Sequence, residues 1–383
     1  MRSARPLSRR PPSGRPGNPR RPSRSPLPAL SSSVPFRVAT FTDRCFMATA
    51  EQVISDEAQY CADTFNGAIA SAAISAAWEI GLLDELERVG RVGTAEFARD
   101  SGADEDVVRA LLVALSTRRI VTLDADRTEA TTAAGFADVY RSKGFFYWLT
   151  RGCGELLTTL PAKMTLAGRE AESVRRDSRA ISVACRNIAR SFFDPPFREL
   201  LEGLDLTTVA DLGCGSSDRL IMLAGLLPHT RGIGIDVAAG AINVSKEAIA
   251  DAGIEDRIAV VQDDVLNLAP REEYAGVDLV TCFLMGHDFW PREDAVAMLR
   301  RLRETFPNAK NLIIGDTCRS TGVEGPEHPM FTLGFETVHT VMDQYLPTLD
   351  EWSSVLEESG WRIADRRMIG LPAFSFIYRL TPA

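Results

Sequence analysis

Histidine is scarce in this chain, with four in 383 residues, and the seven cysteines form no C-x-x-C pair. That argues against a disulfide scaffold and against a zinc knuckle. No run of about 18 apolar residues occurs, so no membrane span is expected. The N-terminus is basic but lacks the apolar stretch of a secretory signal peptide, which makes a cytoplasmic protein the simplest expectation. Basic residues are also rare over most of the length. Residues 1–46 hold ten Arg, nine Pro, eight Ser and one acid, a local balance of +9. The other 337 residues carry 33 basic against 51 acidic groups, or -18. A body that acidic would meet the phosphate backbone with like charge, so it is not expected to bind nucleic acid.

What the chain does have is 45% apolar residues, enough for one large core or two modest ones. Composition predicts four regions. Residues 1–46 form a disordered Arg/Pro/Ser-rich extension that cannot bury enough apolar surface to order itself. From Met47 the composition changes at once, and Ala62 to Ile80 is an Ala-rich helix. Val107, Val108, Leu111, Leu112 and Leu115 mark another helix, and Ile120–Leu123 with Thr128–Thr131 read as a hairpin. Helices followed by a wing predict a winged-helix-like domain over 47–140. Its candidate recognition helix offers Glu105 and Asp106 beside Arg109, so dimerisation or active-site covering is preferred to DNA readout. Residues 141–200 form a helical linker and substrate-pocket region, with Trp148, Cys153 and Arg176 as candidate substrate contacts. Arg176 suits a carboxylate through paired hydrogen bonds, or it is simply solvated.

The last region, 201–383, carries the sharpest pattern. Val209-Ala210-Asp211-Leu212-Gly213-Cys214-Gly215 is a strand running into a glycine turn, where Gly213 and Gly215 permit close ligand approach. A dinucleotide site would prefer G-x-G-x-x-G, whereas an acid ahead of the glycines fits a charged aminoacyl group. The next strand ends at Asp236, placed to accept ribose hydroxyls, and the one after it at Asp264, within reach of an adenine amino group. Two more strands, 277–283 and 311–316, complete an α/β, Rossmann-like and mostly parallel sheet. These strings resemble the class I methyltransferases that use S-adenosylmethionine.

Of the four His, His229 and His328 lie in loops, while His287 stands just past the fourth strand and His339 in the segment after the fifth. They can serve as a general base with an orienting partner, or as two metal ligands with open positions that suit iron. His287-Asp288-Phe289-Trp290 is similar to the His-Asp-Trp string of small-molecule O-methyltransferases, where the His is the base. The longer strings Gly152-Cys153-Gly154-Glu155, Met285-Gly286-His287-Asp288-Phe289-Trp290-Pro291 and Phe331-Thr332-Leu333-Gly334-Phe335-Glu336 resemble a narrower group. These are the aryl-pyruvate β-carbon methyltransferases, among them the phenylpyruvate C3-methyltransferase of mannopeptimycin biosynthesis.

The resemblance covers Met47 to the C-terminus and implies non-haem iron on His287 and His339. It also implies Trp148 and Arg176 at the substrate, and a Cys153 where the family has Ser. Asp288 is then a catalytic candidate, Phe289 a wall of the aryl pocket, and a homodimer the expected assembly. Two alternatives stay open: phenolic O-methylation with His287 as base, and a winged-helix regulator that senses a ligand without turnover.

Overall fold

The structure is a computed structural model that describes residues 55–171, 175–323, 325, 328–370 and 374–383. The expected extension, residues 1–46, lies outside the described residues.

The first helix, Asp56–Glu79, opens on Ser55, whose side chain accepts the Ala58 N–H. Its first half is exposed. Ala70, Ala73, Ile74 and Ala77 in the second half are buried because only there do other helices cover it. Strands β1 (Arg91–Gly93), β2 (Val121–Leu123) and β3 (Glu129–Thr132) form a small antiparallel sheet in the order β1-β3-β2. Leu83, Leu86, Leu112, Leu115 and Phe136 close a core beneath it.

The expected helices and hairpin are therefore present, but not as a distinct winged-helix domain, because residues 55–383 make one compact unit. The reason lies in the contacts of the first helix. The Thr150 hydroxyl donates to Ser75 at 2.6 Å, Arg151 pairs with Glu79 at 3.1 Å, and Trp78 meets the ring of Tyr147 edge-on. The expected boundary at 140 falls inside the helix Phe136–Tyr147, which continues into a π-helical turn, Trp148–Gly152.

Strands β4 (Thr208–Leu212), β5 (Arg231–Asp236), β6 (Ile258–Gln262), β7 (Leu279–Phe283), β8 (Asn311–Thr317), β9 (Trp361–Ile369) and β10 (Ser375–Pro382) build the main sheet. Its order is β6-β5-β4-β7-β8-β10-β9. The five strands from β6 to β8 are parallel, while β10 runs antiparallel to both β8 and β9. The sheet is thus mostly parallel, as expected, with an antiparallel edge that makes it mixed. Strands β7 and β8 are buried along their whole length, as strands covered by helices on both faces must be. The chain winds outward from β4 to β6 and then returns to β7 on the other side of β4. That reversal opens a crevice at the C-terminal ends of β4 and β7.

Among the described residues no single helix is long and apolar enough to cross a membrane.

Candidate active site

The glycine turn after β4 sits at that crevice. Gly213 and Gly215 both have positive φ, and a Cβ on Gly213 would lie 2.5 Å from the Met285 sulfur. A side chain there would push aside Met285, which belongs to the turn that precedes His287, and would hold a left-handed backbone that glycine adopts without strain. The Gly215 N–H donates to Asp236 at 3.0 Å, so the acid ending β5 braces the glycine turn from the neighbouring strand. Asp211 is buried, accepts the Thr281 hydroxyl at 2.6 Å and lies 3.9 Å from Arg219. Burial pushes its carboxyl above the usual range, against the pull of Arg219. Asp264 begins a short 3-10 turn, where its two oxygens accept from the Leu266 N–H and the Asn267 side chain.

His287 lies on the 3-10 turn Gly286–Phe289, directly after β7. Its backbone N–H donates to Asp316 at 2.7 Å, and its Nδ1 lies 2.9 Å from the same carboxylate. A carboxylate accepts, so Nδ1 carries the proton and Nε2 is the nitrogen left for chemistry. Gly286 makes this docking possible: a Cβ there would lie 2.9 Å from the Trp352 ring and 3.1 Å from Asp316. Burial alone would lower the pKa of His287. The charge and hydrogen bond of Asp316, with help from Asp288, outweigh it and raise the pKa above the ordinary value.

His339 projects from the helix Thr332–Val341. Its Nδ1 is 2.7 Å from the Phe335 carbonyl, which can only accept, so here too Nδ1 holds the proton. Burial and the neighbouring His287 lower its pKa to about 3, which keeps it neutral near pH 7. The two rings stand 5.1 Å apart and nearly perpendicular. Each imidazole is thus anchored through Nδ1 and retains Nε2, an arrangement that serves a general base or a pair of metal ligands. Among the described residues no group of three or more His, Cys, Asp or Glu could hold an ion. A metal at this point would therefore have two protein ligands.

The structure brings Trp148 to this pair, with its ring parallel to His339 at 6.5 Å. Phe335 lies 4.0 Å from His339 and 5.3 Å from His287, ring to ring. Arg176 is exposed, yet its charge reaches Cys153, His287 and His339 and favours their deprotonated forms. With Thr150, Glu155 and Asp177 it lines a cleft of about 610 Å³. Cys153 is fully buried, and burial pushes its thiol up to about 12. Phe289 is placed elsewhere, in the core between sheet and helices with Leu212, Ala295 and Leu299, away from the cluster that holds Trp148. Two residues at the site had no role in the sequence reading, Asp316 and Phe335. The acid ending β8 was visible as one more acid at a strand end, but nothing local marked Phe335.

A parallel core with a glycine turn after β4 and acids closing β5 and β8 defines the class I methyltransferase fold. Residues 209–306 match the family model for a methyltransferase domain. The chain is 39% identical over 341 residues to the methyltransferase ungE' of Aspergillus campestris, covering 86% of this chain and 98% of that one. The chain therefore belongs to the S-adenosylmethionine-dependent methyltransferases. It is also 28% identical to an indolepyruvate C-methyltransferase of Streptomyces griseus, over 81% of this chain and 92% of that protein. Among solved structures it is similar in fold to the O-methyltransferase NcsB1 of neocarzinostatin biosynthesis, solved with S-adenosylmethionine and a hydroxynaphthoic acid. There the TM-score is 0.53 and the identity 18%, over 82% of this chain and 96% of the other.

Proposed function

We propose that the protein transfers a methyl group from S-adenosylmethionine to C3 of an aryl-pyruvate. The observation that carries this reading is the pair His287 and His339, both anchored at Nδ1, within reach of the charge of Arg176. The likeness to an indolepyruvate C-methyltransferase supports it.

In this reading Asp211, Gly213 and Gly215 receive the aminoacyl end of the cofactor. Asp236 takes the ribose hydroxyls and Asp264 the adenine side. Arg176 binds the substrate carboxylate with two parallel hydrogen bonds. Trp148 and Phe335 flank the aryl group and keep water out, with Cys153 behind them. Two imidazoles that each keep Nε2, with no third protein ligand among the described residues, fit iron that leaves positions for an α-keto acid, and His287 and His339 would hold it. Bound there, iron would act as a Lewis acid that makes the C3 proton more acidic. The Asp288 carboxylate, 3.9 Å from His287 Nε2, takes that proton, and C3 then attacks the cofactor methyl in line, breaking its bond to the sulfonium sulfur so that S-adenosylhomocysteine leaves with the electron pair.

A second reading is phenolic O-methylation. The His287–Asp316 pair favours it, being a complete base assembly without a metal, and so does the lack of a third ligand among the described residues. His287 Nε2 then removes the phenolic proton. A DNA-reading regulator has less support, because Arg109 is already paired with Glu105 and Asp106 on its own helix. The homodimer we infer would use the exposed N-terminal part of the helix Asp56–Glu79, up to Ile69, where Tyr60, Phe65 and Ile69 face solvent.

Methyl-labelled S-adenosylmethionine, incubated with a panel of aryl-pyruvates and phenols, tests these readings by NMR of the product. A C3 methyl supports the first, and a methoxy signal alone supports the second. Under the first reading a chelator abolishes turnover and ferrous iron restores it. Full turnover by chelated, metal-free protein would overturn the role of iron.

A further inference from the structure

We propose that Gln344 is a positioning residue that sets the two histidines in register by tying the helix bearing His339 to the turn bearing His287. The inference rests on those histidines being the reactive centre, as above. Gln344 follows the helix Thr332–Val341 and bonds in two directions. Its backbone N–H donates to the His339 carbonyl at 2.9 Å, and its side-chain amide donates to Asp288 Oδ1. Asp288 adjoins His287, and the same Oδ1 is the atom 3.9 Å from His287 Nε2.

The chain must reverse sharply to allow this. Asp343 does so with a φ of 61°, and Arg169 holds the corner through Asp343 at 2.6 Å and the Thr340 carbonyl at 3.3 Å. Each histidine is otherwise fastened within its own surroundings, His287 to Asp316 of β8 and His339 to Phe335 of its own helix. Between the two segments lie ring contacts of His287 with Phe335 and with His339. Among the described residues the Gln344–Asp288 bond is the one hydrogen bond that joins them. The residue type follows from the chemistry. An uncharged amide can donate to a carboxylate, whereas Glu at this position would repel it.

The chain's four histidines make a direct test practical. Histidine labelled at the ring Cε1 gives one NMR signal per imidazole, four in all, assigned by single His→Gln variants, in protein with no substrate added. Gln344→Leu and Gln344→Glu are expected to shift the signals of His287 and His339 and to leave those of His229 and His328 in place. Combining Asp288→Asn with Gln344→Glu puts the amide donor on the turn and the carboxylate acceptor after the helix. The bond is then restored with its direction reversed, so the His339 signal should return toward its original position, while that of His287 also registers the loss of the Asp288 charge. In turnover, Gln344→Leu should lower kcat about 10- to 100-fold with little change in KM for the cofactor. Unmoved His287 and His339 signals, movement of all four, or no recovery of the His339 signal in the double variant would each overturn the proposal. Because the spectra need no acceptor, they stand apart from whether the substrate is a keto acid or a phenol.

Discussion

The carboxylate of Asp316 receives the backbone N–H and the Nδ1–H of His287 together, in a position with no solvent exposure. Asp316→Asn would keep the size but lose the charge, and its amide nitrogen cannot accept the backbone N–H. If His287 is the base, kcat should fall about 100-fold. The acid limb of kcat/KM should also move to lower pH, since the anion that raises the pKa of His287 has gone. An unmoved acid limb would exclude His287 as the titrating base. His339 works in the opposite sense. Its pKa drops from 6.5 to about 3 on folding, so below pH 6.5 the unfolded chain takes up a proton that the native protein refuses. Its contribution to stability should fall as the pH drops from 6.5 toward 3, by at most about 1.4 kcal/mol per pH unit. His287, with its raised pKa, instead contributes stability that is lost as the pH rises through its folded value. His339→Phe should flatten the acid side of a Tm-against-pH curve, and an unchanged slope would refute the burial argument.

At the scale of elements, two glycines connect local backbone to the site. Gly213→Ala combines a φ of 66° with a Cβ 2.5 Å from the Met285 sulfur. The strained backbone and the displaced Met285 together disturb the cofactor turn, and calorimetry should show at least a roughly tenfold weaker Kd for S-adenosylmethionine. Gly286→Ala places a methyl against Trp352 and Asp316, two groups that are themselves fully buried. It should cost about 1–3 kcal/mol in denaturant unfolding and reduce turnover by displacing His287. Wild-type stability and activity in this variant would show that the turn has room the structure denies it. The turns were legible in the sequence because a strand followed by glycines and an acid is a local pattern, as at Val209–Gly215. The partner each turn packs against was not legible. Met285 over Gly213 and Trp352 against Gly286 join residues that are far apart in the chain.

For the whole molecule, the charge divides between an extension of +9 and a body of -18. The body from Ser55 onward forms a compact unit that contains every candidate site residue. Removal of residues 1–46 should therefore leave kcat, KM and Tm within experimental scatter. A large loss of turnover with folding intact would show that the extension takes part in function. Within that unit the N-terminal helices do not stand as a distinct winged-helix domain. The first helix is tied to the Trp148 turn by Ser75, Trp78 and Glu79, so the N-terminal helices support the pocket directly.

By itself the sequence determined the strand–turn–helix rhythm and the glycine turn with its acids. These follow from short-range rules: alternation, turn chemistry, and residue type at a strand end. Tertiary structure alone decided that the two imidazoles stand 5.1 Å apart, that Asp316 rather than a sequence neighbour holds His287, and that Phe289 turns into the core. It also made the sheet mixed, through β10 pairing back onto β8. The physical reason is common to all four. Each depends on which distant segments exclude water from one another, and that is settled by the packing of the whole chain.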